Sequence, residues 1–145
     1  MKLLWAAFIF SLFAFQSPEN ESSKDSQILG TWLSPKKEIK IQIFKKDNAF
    51  HGKIIWIKKG SAYSRYQKDL KNPKPALRQR PLIGLQILNG FKYDQRGMSW
   101  SMGRIYHPKY GKFFKGKMSL KDTHTLKITG YWGMFKDAGI WTKAI

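Results

Sequence analysis

Nine carboxylates and three histidines are the side chains of this 145-residue chain whose ordinary pKa values suit acid–base work at or below neutral pH, and their positions decide what chemistry they could do. General acid–base hydrolysis needs two such groups facing one cleft. Glu19, Glu21 and Asp25 lie in a polar stretch without periodicity, and Asp47, Asp94, Asp122 and Asp137 fall in turn-like sequences, where an aspartate bonds its own backbone. Only Glu38 and Asp69 remain, and they do not read as a pair. His51, His107 and His124 fall on one strand and two separate turns without metal-ligand spacing, so each reads as an ordinary surface or turn residue. The absence of cysteine excludes thiolate chemistry, disulfides and lipid attachment to an N-terminal cysteine. No Gly-x-Ser-x-Gly, phosphate loop or dinucleotide fingerprint is present. The expectation is a protein with no catalytic residue, no metal site and no cofactor.

Recognition chemistry is better represented. Arg104 and Tyr106 share the parity of Trp100 and Met102 on one predicted strand, which aims all four inward. A buried guanidinium is costly unless paired, and no acidic residue falls on an inward strand position. Arg104 and Tyr106 are therefore candidates to fix the carboxylate or phosphate of an otherwise apolar ligand; the alternative places Arg104 at a rim, in water. The same parity argument turns Trp56, Phe114, Met118, Leu120, Leu126, Ile128 and Trp132 inward, with Gly52, Gly116 and Gly130 between them. The candidate ligand-binding set is Trp56, Trp100, Met102, Arg104, Tyr106, Phe114, Met118, Ile128 and Trp132. Either small residues beside large ones leave a cavity for a hydrophobic or amphipathic molecule, or these side chains fill the space themselves.

The elements that must position these residues are strands. Alternation of apolar and polar residues runs from Ile28 almost to Ile145, and the only window that could carry a helix is Pro81 to Leu88. Strands are predicted over Ile28 to Leu33, around Ile39, Ile41 and Ile43, over Phe50 to Ile57, Leu82 to Phe91, Met98 to Tyr106, Lys112 to Leu120, Thr125 to Trp132 and Ile140 to Ala144. Asp47-Asn48, Asp94 to Gly97, His107 to Gly111, Lys121 to His124 and Lys136 to Gly139 read as turns. Lys58 to Pro81, with Pro73 and Pro75, reads as a long connection over one end. About eight short strands joined mostly by tight turns predict an all-β, single up-and-down antiparallel barrel. Closing it hides both edges and makes Trp32 and Lys143 neighbours, where the ammonium can cover the ring.

Residues 1–17, a positive start and the apolar run Leu3 to Phe15, have signal-peptide character and are shorter than a membrane span; an uncleaved anchor is the alternative. Residues 18–27 read as a flexible leader, and 28–145 as the folded domain. Export implies a periplasmic or secreted protein. The net charge of +18 would draw the protein to anionic membrane or cell-wall surfaces, or would merely solvate the outer face. Tyr63, Tyr66 and Phe113 among lysines could stack single-stranded nucleic acid in an OB-like barrel, but export disfavours that partner.

Gly30-Thr31-Trp32 on a first strand, with a basic residue on the last, resembles the lipocalin and wider calycin pattern. A more specific likeness covers Asn72 to Phe91, Gly103 to Lys112, Gly116-Lys117-Met118 and Trp141-Thr142-Lys143. These segments resemble a family of small exported bacterial proteins classed as domain of unknown function 2147. The resemblance implies a lipocalin-like fold in which Gly30, Trp32 and Lys143 close the barrel base beneath a ligand cavity, and an extracytoplasmic address; it implies no established activity. His107 stands where an acidic residue is usual, and Lys143 where arginine is expected. The function expected from residues and resemblance together is carriage of a small apolar or amphipathic molecule, including anionic or fatty-acid-like ones. The alternative is an envelope-associated interaction protein with a filled barrel.

Overall fold

The computed structural model describes residues 23–145; the signal-like segment and most of the predicted leader lie outside the described residues. Eight strands, β1 (Gly30–Leu33), β2 (Ile39–Lys46), β3 (Ala49–Ile57), β4 (Gln86–Asp94), β5 (Ser99–His107), β6 (Lys112–Asp122), β7 (Thr125–Trp132) and β8 (Phe135–Lys143), form a closed antiparallel barrel in sequence order. Closure is the pairing of Trp32 with Lys143 and Leu33 with Thr142, so neither terminal strand keeps a free edge over these residues.

Turn chemistry explains the meander and two boundary differences. Asp47 and Asn48 both take positive φ (52° and 57°), the geometry of a two-residue hairpin matched to strand twist. Lys136 to Gly139 is not a turn: it is paired strand, with Asp137 opposite Gly130 and Gly139 opposite Ile128. The reversal occurs earlier, at Gly133-Met134, where Gly133 takes φ +57° and Trp132 faces Phe135. β4 likewise starts at Gln86 rather than Leu82; Leu82 and Leu85 are buried loop residues, and the window considered for a helix is turn and strand.

The connection 58–85 carries two 3-10 turns, Ala62–Arg65 and Pro75–Leu77. It is pinned to the barrel's outer wall by Asp69, which is fully buried and forms a 2.8 Å ion pair with Arg80. Asp69 also accepts hydrogen bonds from Asn72 Nδ2 (2.8 Å) and the Tyr106 hydroxyl (2.5 Å). Burial, then the bond to Asp69, raises the Tyr106 phenol above its ordinary pKa. The approach is close enough that a Cβ on Gly111 would lie 1.7 Å from the Lys71 carbonyl oxygen. Much of the motif Asn72 to Phe91 therefore builds this strap and its junction with β4.

The base is filled. Trp32 is fully buried, its indole N–H donates to the Ile28 carbonyl at 2.8 Å, and Lys143 Nζ sits 4.6 Å from its ring centre while donating to the Leu29 carbonyl at 2.6 Å. Gly30, at φ +117°, leaves room for that ammonium, since a Cβ there would approach Nζ to 2.9 Å. Burial lowers the Lys143 pKa. Lys24–Ile28, most of which falls in the predicted flexible leader, forms a 3-10 turn against this end: Lys45 pairs with Asp25 at 2.8 Å and Trp100 donates to the Asp25 carbonyl.

Candidate functional site

The opposite half of the barrel is open. A cavity of about 570 Å³ lies between the β1–β2 connection, β2 and β5 through β8, under Tyr63 of the strap. Its apolar wall is Ile39, Ile105, Phe114, Ile128, Trp132, Phe135 and Trp141, and its polar groups are Glu38, His107, Asp137 and the lysines Lys36, Lys109 and Lys136. Alternation supplies the wall: Phe114 on β6, Ile128, Gly130 and Trp132 on β7, and Asp137, Gly139 and Trp141 on β8 are every second residue of their strands.

The three predicted spacer glycines divide by this boundary. A Cβ on Gly52 would meet Leu88 at 2.8 Å, and one on Gly116 would meet Ile105 at 2.7 Å and Phe91 at 2.8 Å, so larger side chains occupy both positions. At Gly130 the nearest atom is Phe114 Cβ at 3.7 Å, and Gly130 lines the cavity.

Of the nine residues predicted to bind ligand, the structure brings Phe114, Ile128 and Trp132 together in the cavity. Trp100 and Met118 point inward but belong to the packed core of the filled half, with Trp100 against Phe50 and Tyr93. The other four are corrections, and β-bulges explain most of them. In β3 the register skips Ile55 between the pairs Ile41–Ile54 and Lys40–Trp56. Trp56 is thereby turned outward, half-exposed beneath Lys40 Nζ at 5.2 Å. In β5 the register shifts between Trp100 and Gly103, and Met102, at φ +60°, is 85% exposed. Beyond this bulge Gly103 and Ile105 face inward, and Arg104 lies outside, its guanidinium 4.4 Å from the Phe113 ring centre. Tyr106 is buried, but on the outer wall under the strap, bonded to Asp69. Neither Arg104 nor Tyr106 can hold a ligand's anionic group in the cavity.

His107, predicted to be an ordinary turn residue, instead ends β5 at the cavity with Nδ1 buried and without a hydrogen-bond partner among the described residues. Burial lowers its pKa, as does Lys109, while Asp137 opposes them. Tyr63 is pushed up, first by burial and then by Glu38 and Tyr110. Ile105, Phe135, Asp137 and Trp141 were missed as wall residues. Trp141 was legible: if Lys143 covers Trp32 at the closed end, Trp141 and Gly139 must share its inward parity. No group of three or more potential metal ligands occurs among the described residues.

A closed eight-stranded meander, capped at one end by a cation over a Gly-x-Trp ring and hollow at the other, defines a lipocalin-type barrel. The solved structure of protein HP1028 from Helicobacter pylori, described as belonging to the lipocalin family, has this fold. It is similar at TM-score 0.68 and 22% identity, covering 81% of this chain and 82% of that one. The chain itself belongs to the family DUF2147, described as an uncharacterized protein conserved in bacteria, whose model matches residues 30–143. No curated protein matches the chain.

Proposed function

We propose that the protein binds a small apolar or amphipathic molecule in the open half of its barrel and carries it unchanged, outside the cytoplasm. The observation that carries this reading is the cavity of about 570 Å³ with a wall of aromatic and aliphatic side chains. Ligand pockets run roughly 300–1,000 Å³ with a few polar groups that orient the ligand. Burial of the apolar body would supply the affinity. The polar end would meet the rim, where Lys36, Lys109 and Lys136 stand beside Glu38 and Asp137. The apolar run Leu3 to Phe15 supports export.

Titration with the apolar fluorophore N-phenyl-1-naphthylamine tests the reading. Binding should saturate at one molecule per chain. Gly130→Leu puts a side chain into the cavity, and should weaken that binding at least tenfold while the protein stays folded. Unsaturable binding, or equal affinity in the folded variant, would overturn it.

A further inference from the structure

The β7–β8 hairpin ends in an apolar tip that the cavity accounts for only in part, since Trp132 and Phe135 line it and Met134 does not. Trp132, Met134 and Phe135 are 66%, 99% and 77% exposed, lie within four residues of one another, and are held at a two-residue turn between paired strands. Large apolar groups clustered at one extremity of a water-soluble surface mark a place of contact. The tip is also cationic at its margin: Lys112 Nζ lies 5.3 Å from the Trp132 ring centre, and Lys136 follows directly.

Charge is distributed unevenly between the two ends of the barrel. The connections that leave the open end, residues 34–38, 58–85, 108–111 and 133–134, carry eleven lysines and arginines against Glu38 and Asp69, eight of them on the strap 58–85. At the closed end, residues 23–29, 47–48, 95–98 and 123–124 carry two basic residues, Lys24 and Arg96, against Asp25 and Asp47. Solubility alone gives no reason to gather cations at one pole. An acidic polymer would satisfy the cations but leave Met134 and Phe135 in water. A bilayer with anionic head groups satisfies both, because lysines meet phosphates while apolar side chains enter the acyl boundary.

We infer that the protein docks on anionic lipid bilayers through the Trp132–Phe135 hairpin tip, with the open end of the barrel facing the membrane. Trp132 and Phe135 are also cavity wall, so the docked protein presents its mouth to the lipid surface. Docking needs no ligand in the cavity, and its failure would leave the binding reading intact.

Sedimentation with vesicles of phosphatidylcholine containing about one-third phosphatidylglycerol, compared with phosphatidylcholine alone, tests the attraction. The anionic vesicles should bind the protein, less so in high salt, and the neutral ones should bind it weakly. Met134→Lys separates insertion from charge: it adds a cation at a side chain outside the wall of the barrel cavity, yet should weaken vesicle binding at least fivefold. Tighter binding by that variant would show adsorption by charge alone and overturn the proposal. Because the chain has no cysteine, Met134→Cys and Gln95→Cys can each carry one environment-sensitive fluorophore. The tip label should shift to the blue and be quenched by spin-labelled lipid, while the label at the closed end stays aqueous. Equal responses at both ends, or heparin bound as tightly as the anionic vesicles and indifferent to Met134→Lys, would also overturn it.

Discussion

The two halves of this barrel are built from the same alternating strands and do different work. The filled half holds Trp32, Ile41, Phe50, Ile54, Trp100 and Leu126, all essentially inaccessible. In the open half the side chains are equally large, but Phe114, Trp132 and Trp141 stand along a wall around open space. Residue size alone therefore does not distinguish core from cavity. What differs is the neighbouring ring: Phe91 fills the space that Gly103 on the adjacent strand and Gly116 beside it leave, while Gly130 has no such ring against it.

Trp32→Ala should have the largest effect, and it should fall on the filled half alone. Removing a fully buried tryptophan also removes the ring under Lys143, and should cost about 3–5 kcal/mol of stability. Thermal and urea unfolding would measure it, while fluorophore affinity of the remaining folded protein should change little. A collapse of affinity at unchanged stability would mean that the closed end belongs to the binding site.

Asp69→Asn should cost less, about 2 kcal/mol, because it removes the charge opposite Arg80 and turns into a donor one side of a group that accepts from Arg80, Asn72 and Tyr106. Hydrogen exchange should rise across 58–85 and hardly at all in β1 and β8. Uniform acceleration would show that the strap and the filled half unfold as one unit.

The smallest effect concerns pH. His107 has a folded pKa below its ordinary 6.5, so the unfolded chain binds the proton first as pH falls. Its contribution is fully present above the unfolded pKa and is lost as pH drops through the folded value. The wild-type melting temperature should therefore fall more between neutral and mildly acidic pH than that of His107→Gln. Identical pH slopes would remove the buried ring as the cause.

Much of the fold was legible because period-two alternation and turn residues are local. Asp47-Asn48 announced its hairpin, and Thr125 to Trp132 was read to its boundaries. The site was less legible because parity counting assumes an unbroken strand. One extra residue at Ile55 moved Trp56 outside, and the irregularity around Met102 moved Arg104 with it. Tyr106 shows a second failure: burial was foreseen, but on the wrong wall, because a strap distant in sequence covers the outer face.

By itself the sequence determined that the chain would be an antiparallel meander, since alternation and turn chemistry act between neighbours along the chain. It also made a ring and a cation available at the two edges that close the barrel. Which half is solid and which is hollow was settled by contacts that form only once the barrel closes. That outcome depends on bulges, on Phe91 entering the space of two glycines, and on Asp69 fastening the strap outside, all contacts between residues far apart in sequence.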